Sequence, residues 1–233
     1  MGVWIGTSGY NYPEWRGTFY PEKFPTGKML PYYAERFRTV EINYTFYRMP
    51  NAKTLAGWDA ETPAEFRLTL KAPQRITHIA RLRNVEDPLR HFCEMAATLG
   101  AKRGAILFQL PPNFKKDVAR LGGLLALLPS DLLCTFEFRH ESWFDEEVYG
   151  CLRAANAALC IADSEKLATP VVATADWGYL RLRDEGYGEA DLARWAGVVR
   201  EHAARWRDTY VYFKHEESGI GPQFARRLTE LLA

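Results

Sequence analysis

The chain has 233 residues, of which 47% are hydrophobic, 14% aromatic and 25% charged, and its formal net charge is +1. That length falls a little short of a typical eight-unit α/β barrel, at about 250 residues, and the apolar share suffices for a sizeable core. A charge so near zero excludes a global pull toward nucleic acid or an anionic membrane. No basic-flanked apolar leader opens the sequence and no apolar run reaches the ~18 residues of a membrane span, so a cytoplasmic protein is expected.

The first strand is expected at residues 3–7, followed by a loop, 9–28, rich in aromatic residues, Gly and Pro. A loop of that size is usually functional or lid-like. The second strand, 40–43, sets Glu41 and Asn43 on one face and Val40 and Ile42 on the other. The third, 66–71, ends at Lys71, with His78 in the loop beyond. Asp87 and Pro88 supply an N-cap and a first-turn proline for a helix to Leu99, where Gly100 stops it. A fourth strand at 104–110 leads to a helix over 115–128. The fifth, 135–139, places Glu137 and Arg139 together opposite Phe136 and Phe138. His140 follows, and a helix starts near Ser142, with Asp145 three residues on as a near-capping box.

After the sixth strand, 158–163, the run SEKLATPVVATA lacks a full amphipathic helix and is interrupted by Pro170. That crossover is expected to be loop-like. The seventh strand, 179–183, puts Arg181 and Arg183 on one face, and a helix spans 191–206. The eighth, 210–214, ends in Lys214, His215 and Glu216, before a closing helix over 223–232. Strands alternating with helices imply a parallel sheet. The expected fold is an α/β, TIM-type (β/α)8 barrel in one domain over 1–233, irregular at its sixth unit.

In such a barrel ligands meet the carboxyl ends of the strands. Buried there, Glu41 and Glu137 need partners; they pair with arginine across the lumen, or one of them serves as a base or metal ligand. Lys71 has three candidate roles at the mouth: a phosphate clamp, a proton shuttle, or a Schiff-base nucleophile if desolvated. Arg181 and Lys214 sit where many barrels hold phosphate. His140 is an acid/base candidate by location, and His78 reaches the same mouth. Glu41, Glu137, His140, Asp163 and Glu216 would offer mixed ligands to a divalent metal if they converged, but HExxH is absent. Walker A, G-x-G-x-x-G and G-x-S-x-G patterns are absent too. The four cysteines form no C-x-x-C pair and are expected as reduced thiols in or near the core.

Six ordered runs, GTSGYNYPEWRGTFYP, VEINYTFYRMP, TPAEFRLTLKAPQRITH, AILFQLPPNF, FEFRHESW and YLRLR, resemble the domain-of-unknown-function 72 family and span nearly the whole chain. The resemblance implies a TIM-type barrel. It highlights Ser8, Tyr12, Trp15, Glu41, Asn43, Phe46, Tyr47, Lys71, Thr77, His78, Gln109, Pro111, Glu137, Arg139, His140, Trp143 and Arg181. Two places depart from the family pattern: Arg183-Asp184 replaces a His-Gly pair, and Lys214-His215-Glu216 replaces an Asn-rich turn.

The leading expectation is a barrel enzyme acting on a small anionic ligand, a phosphorylated sugar or nucleotide-like molecule. Glu41, Lys71, Glu137 and His140 are the catalytic candidates. Tyr10, Tyr12, Trp15, Asn43, His78, Gln109, Arg139, Trp143, Arg181 and Lys214 are the binding candidates, and no cofactor is expected. The alternatives are a non-catalytic nucleic-acid-binding protein and a metal-dependent phosphodiesterase. Membrane binding is not expected, and the sequence gives no oligomeric state.

Overall fold

Runs such as Arg103–Gln109, apolar on both faces, form strands that must be covered on both sides. In the computed structural model, which describes residues 2–164, 167–184, 186–217 and 219–233, eight such strands lie side by side. They are β1 (Gly2–Thr7), β2 (Thr39–Ile42), β3 (Arg67–Lys71), β4 (Arg103–Gln109), β5 (Cys134–Glu137), β6 (Ala158–Asp163), β7 (Gly178–Leu182) and β8 (Asp208–Phe213). All ladders are parallel, in the order β1-β8-β7-β6-β5-β4-β3-β2.

The remaining seam, β1 to β2, has little ladder of its own. Near its top Ser8 bridges to Glu41, and the Gly9 amide donates to the Glu41 carbonyl at 2.8 Å. Lower down a side chain closes it. The Thr7 amide donates to the Tyr33 hydroxyl at 2.8 Å, which donates on to the Thr39 carbonyl at 3.1 Å. Gly6 makes this approach possible, because a Cβ there would lie 2.2 Å from the Thr39 carbonyl oxygen. The result is a nearly closed TIM-type (β/α)8 barrel.

The helices are α1 (Met29–Ala34), α2 (Tyr44–Tyr47), α3 (Ala52–Ala60), α4 (Glu86–Ala97), α5 (Val118–Leu127), α6 (Glu146–Ala154), α7 (Glu189–His202) and α8 (Ile220–Leu232). Two helix caps differ from expectation. Helix α4 begins at Glu86, so Asp87 and Pro88 fill its first turn rather than cap it. Helix α6 is capped by Asp145, whose carboxylate accepts the Glu147 amide at 2.9 Å, while 141–143 form a separate 3-10 turn. Between β6 and β7 no helix forms among the described residues, as the sequence suggests; Glu165 and Lys166 of that crossover lie outside them.

Strand alternation divides the core in two. On β4 and β8, Ile106, Phe108, Val211 and Phe213 face the helices, whereas Leu107, Tyr210 and Tyr212 fill the lumen with Trp4, Cys160 and Tyr179. All four cysteines are free thiols; Cys93, Cys134 and Cys160 are buried. No helix among the described residues is long and apolar enough to cross a membrane.

Candidate functional site

The same alternation carries the lumen face upward to a polar top layer. Its members are Ser8 after β1, Glu41 on β2, Lys71 on β3, Gln109 on β4, Glu137 on β5, Arg181 on β7 and Lys214 after β8. Strand β6 contributes the small Ala162. Each of these strands overlaps its expected position, so residues far apart in the chain meet at one end of the barrel.

Arg181 is the hub, 1% exposed. Its Nε donates to both Glu41 oxygens at 3.0 and 3.2 Å, one Nη donates to Glu137 at 3.2 Å, and the other to the Ser8 hydroxyl at 3.1 Å. Glu41, 0% exposed, also accepts from the Ser8 and Tyr179 hydroxyls. Glu137 accepts from Gln109 Nε2 at 2.8 Å and Arg139 Nε at 3.0 Å. Burial pushes the Glu137 carboxyl pKa up, but the Arg181 and Arg139 guanidiniums, the Gln109 amide and Lys71 outweigh it and hold it at about 2. The same two carboxylates keep Arg181 firmly charged against the effect of its burial. Donors occupy both oxygens of each carboxylate. Neither is placed as a free general base in this state, and the arrangement matches the arginine pairing across the lumen.

Lys71 is different. It is 7% exposed, and among the described residues its ammonium forms no ion pair or hydrogen bond. Its Nζ lies 4.1 Å from the centre of the Phe46 ring. Burial, then the nearby Arg181, draw its pKa down to about 7, against the weaker opposing pull of Glu137 and Glu41. The free amine is therefore far more populated at neutral pH than in an exposed lysine. Beyond β3, a π-helical turn, Arg75–Ile79, carries His78. The Phe46 and His78 ring centres lie 4.9 Å apart, and Thr77 Oγ1 meets His78 Nδ1 at 2.9 Å. Burial and the charges of Lys71 and Arg139 lower the His78 pKa to about 4, so this ring is neutral.

Further cations ring the mouth. Lys214 pairs with Glu216, and burial draws its pKa down to about 8. Arg183 has a buried Nε without a hydrogen-bond partner among the described residues, and burial with Arg181 and Arg139 depresses its pKa. A cleft of about 540 Å³ opens over this side. Gly9 to Tyr12 beyond β1, Ile42 and Asn43 at the end of β2, Tyr44 and Tyr47 of α2, Thr54 and Trp58 of α3, Lys71, Lys214 and Glu216 line it.

The structure thus gathers Glu41, Asn43, Lys71, Gln109, Glu137, Arg139 and Arg181, with Tyr10, Tyr12, Lys214 and His78 around them. Asn43 starts α2 rather than ending β2, and its amide donates to Ser8 Oγ at 2.9 Å. Tyr12 donates to the Ser8 carbonyl at 2.8 Å. Two expectations need correction. His140 accepts the Ser142 amide on Nδ1 at 3.1 Å and, among the described residues, has no hydrogen bond to the polar layer. Trp15 and Trp143 are both 0% exposed, with their indole N–H groups donating to the carbonyls of Glu216 and Phe114. They pack in the core between strands and helices and offer no surface to a ligand. The five proposed metal ligands do not converge, and no other His, Cys, Asp or Glu trio able to hold a metal occurs among the described residues. Asp163 instead accepts from Tyr187 at 3.0 Å and Arg194 at 3.3 Å. Sequence reasoning overlooked Tyr179 and Trp58; the spacing of Tyr179, two residues before Arg181, was the available signal for the former.

Comparison with known proteins follows the fold closely. The family model described as a protein of unknown function, DUF72, matches residues 4–233. The chain is similar to the UPF0759 protein YunF of Bacillus subtilis, 24% identical across 99% of this chain and 94% of that protein. It is similar to the UPF0759 protein YecE of Escherichia coli, 29% identical across 61% of this chain and 50% of that one. Among solved structures it is similar to the DUF72 family protein TM1631 of Thermotoga maritima, with a TM-score of 0.87 and 27% identity over 100% of this chain and 99% of the other. A second DUF72 protein, EF0366 of Enterococcus faecalis, shares the fold at a TM-score of 0.84 and 18% identity over 99% and 95% of the two chains.

Proposed function

Because the chain belongs to the DUF72 family, whose description assigns no activity, we propose from its own geometry that it is an enzyme acting on a small anionic ligand at the carboxyl end of the barrel. The observation that carries this reading is Lys71, a buried amine opening into a cleft with no counter-ion among the described residues. An incoming anion supplies the missing partner. The balance of charge supports it: Glu41 and Glu137 face Arg181, Arg139 and Arg183, leaving a cationic excess before either lysine is considered. Arg139, Arg183 and Lys214 would hold the anion, with guanidinium forks suited to phosphate or carboxylate. Tyr12, Tyr44, Tyr47 and Trp58 would flank the rest of the molecule, which suits a phosphorylated sugar or a nucleotide-like ligand. Glu41, Glu137 and Ser8 fix Arg181, and with it the floor of the site. Lys71 would be the group that moves protons or makes a bond.

The test is a thermal-shift screen with phosphate, sulfate and phosphorylated sugars. Stabilisation by at least one of them, lost in Arg139→Ala and in Lys214→Ala, is expected. A melting temperature indifferent to every anion would refute the reading.

A further inference from the structure

We propose that Lys71 Nζ is an amine nucleophile that condenses with the carbonyl carbon of a small anionic aldehyde or ketone to form a Schiff base. This deepens the reading of the mouth as an anion site and rests on it. Three features of the geometry carry it. The amine ends β3, so the strand holds its backbone in the barrel wall, and the Lys71 carbonyl is pinned by the Thr45 hydroxyl at 2.7 Å. It opens into the cleft while making no hydrogen bond or ion pair among the described residues, so nothing must be displaced before it attacks. The strongest single charge acting on it is a cation, Arg181. Arg181 and Arg139 disfavour the ammonium form, Glu137 and Glu41 oppose them, and the neutral His78 adds no charge. Glu137 and Glu41 are themselves engaged by arginine, so their pull on Lys71 is weakened. A desolvated lysine beside other cations is the arrangement that makes amines nucleophilic near neutral pH.

The chemistry balances without a further reactant. The Nζ lone pair forms a C–N bond as the carbonyl π electrons move onto oxygen, and the nitrogen proton passes to that oxygen to give a carbinolamine. Loss of that hydroxyl as water, with the second nitrogen proton, leaves C=N. The anionic end of the same molecule would lie toward Arg139, Arg183 and Lys214. The substrate class is therefore an oxo acid or a phosphorylated aldose or ketose fragment.

Reductive trapping tests it. The full chain is incubated at pH 7 with pyruvate or dihydroxyacetone phosphate and sodium cyanoborohydride, and the modified lysine is located by peptide mass spectrometry. An exposed lysine holds about a thousand-fold less free amine than Lys71 at that pH. A less basic amine is intrinsically slower, which returns part of this, so labelling of Lys71 should exceed that of exposed Lys23, Lys53 and Lys115 by at least about tenfold. Lys71→Met, checked for a melting temperature at least as high as the wild type, should lose that adduct and leave the surface labelling as it was. If Lys71 labels no faster than the exposed lysines while phosphate still stabilises the protein, the Schiff-base inference is overturned and the anion site stands. If neither trapping nor anion stabilisation occurs, both fail.

Discussion

Replacing Arg181 by methionine should destabilise the barrel strongly at neutral pH and much less in mild acid. Methionine keeps an unbranched chain in the lumen but removes the hydrogen bonds to Glu41, Glu137 and Ser8. Removing one partner of a buried ion pair costs about 3–5 kcal/mol, because an uncompensated charge remains behind. Here two carboxylates lose the same cation, so the upper end of that range is expected at pH 7. The pH dependence gives the sharper test. In the native protein the Glu137 carboxyl is held at about 2, below its unfolded value, so its contribution is present above the unfolded pKa and fades as pH falls through the folded one. Without Arg181, burial dominates and raises the folded pKa. The folded variant then keeps a proton that the unfolded chain releases, and its stability falls as pH rises, by about 1.4 kcal/mol per unit for each such carboxyl. Between pH 7 and pH 5 the deficit should narrow by roughly 3 kcal/mol for one carboxyl. Urea unfolding at the two pH values reads this directly. A deficit under about 1 kcal/mol, or one that does not narrow, would refute the assignment of Arg181 as the buried electrostatic hub.

Lys71→Met should stabilise the protein at neutral pH, by up to about 4 kcal/mol, because the folded state no longer keeps an amine below its unfolded pKa. Wild-type stability should rise between pH 7 and 10.5 as the unfolded lysine loses its proton, and the variant should lack that rise in denaturant titrations. Tyr33→Phe should cost about 2–4 kcal/mol in unfolding experiments, since the Thr7 amide and the Thr39 carbonyl lose their shared partner. Gly6→Ala should be at least as damaging as Tyr33→Phe, measured the same way, because its methyl group meets backbone rather than a flexible side chain.

The barrel was legible because its strands are short apolar runs, and a period of two fixes which residues share a face once the run is found. That rule alone placed Glu41, Glu137 and Arg181 on the lumen side. It failed at the strand ends: β2, β4, β5, β7 and β8 each stop before the last residue expected of them. Past that point direction is set by turns, which is why Asn43 starts a helix and His140 accepts a local amide. Residue type misled for Trp15 and Trp143, because a large ring serves equally well as a wall or as a foundation. The desolvation of Lys71 was invisible for another reason. Phe46, which covers it, and Arg181, whose charge adds to the effect, come from α2 and β7, and no local pattern relates them to residue 71. The Tyr33 link between β1 and β2 was hidden in the same way.

That link bears on how the mouth could widen. Residues following β1 and β2 form facing walls of the cleft, yet their parent strands are stitched chiefly by one phenol and a single amide above it. Every other neighbouring pair is held along a hydrogen-bonded ladder, with a register shift between β3 and β4 and a short pairing between β5 and β6. Any breathing of the cylinder that leaves those ladders whole must therefore open along this line, like a cuff fastened by one button, and it would part the two walls of the cleft.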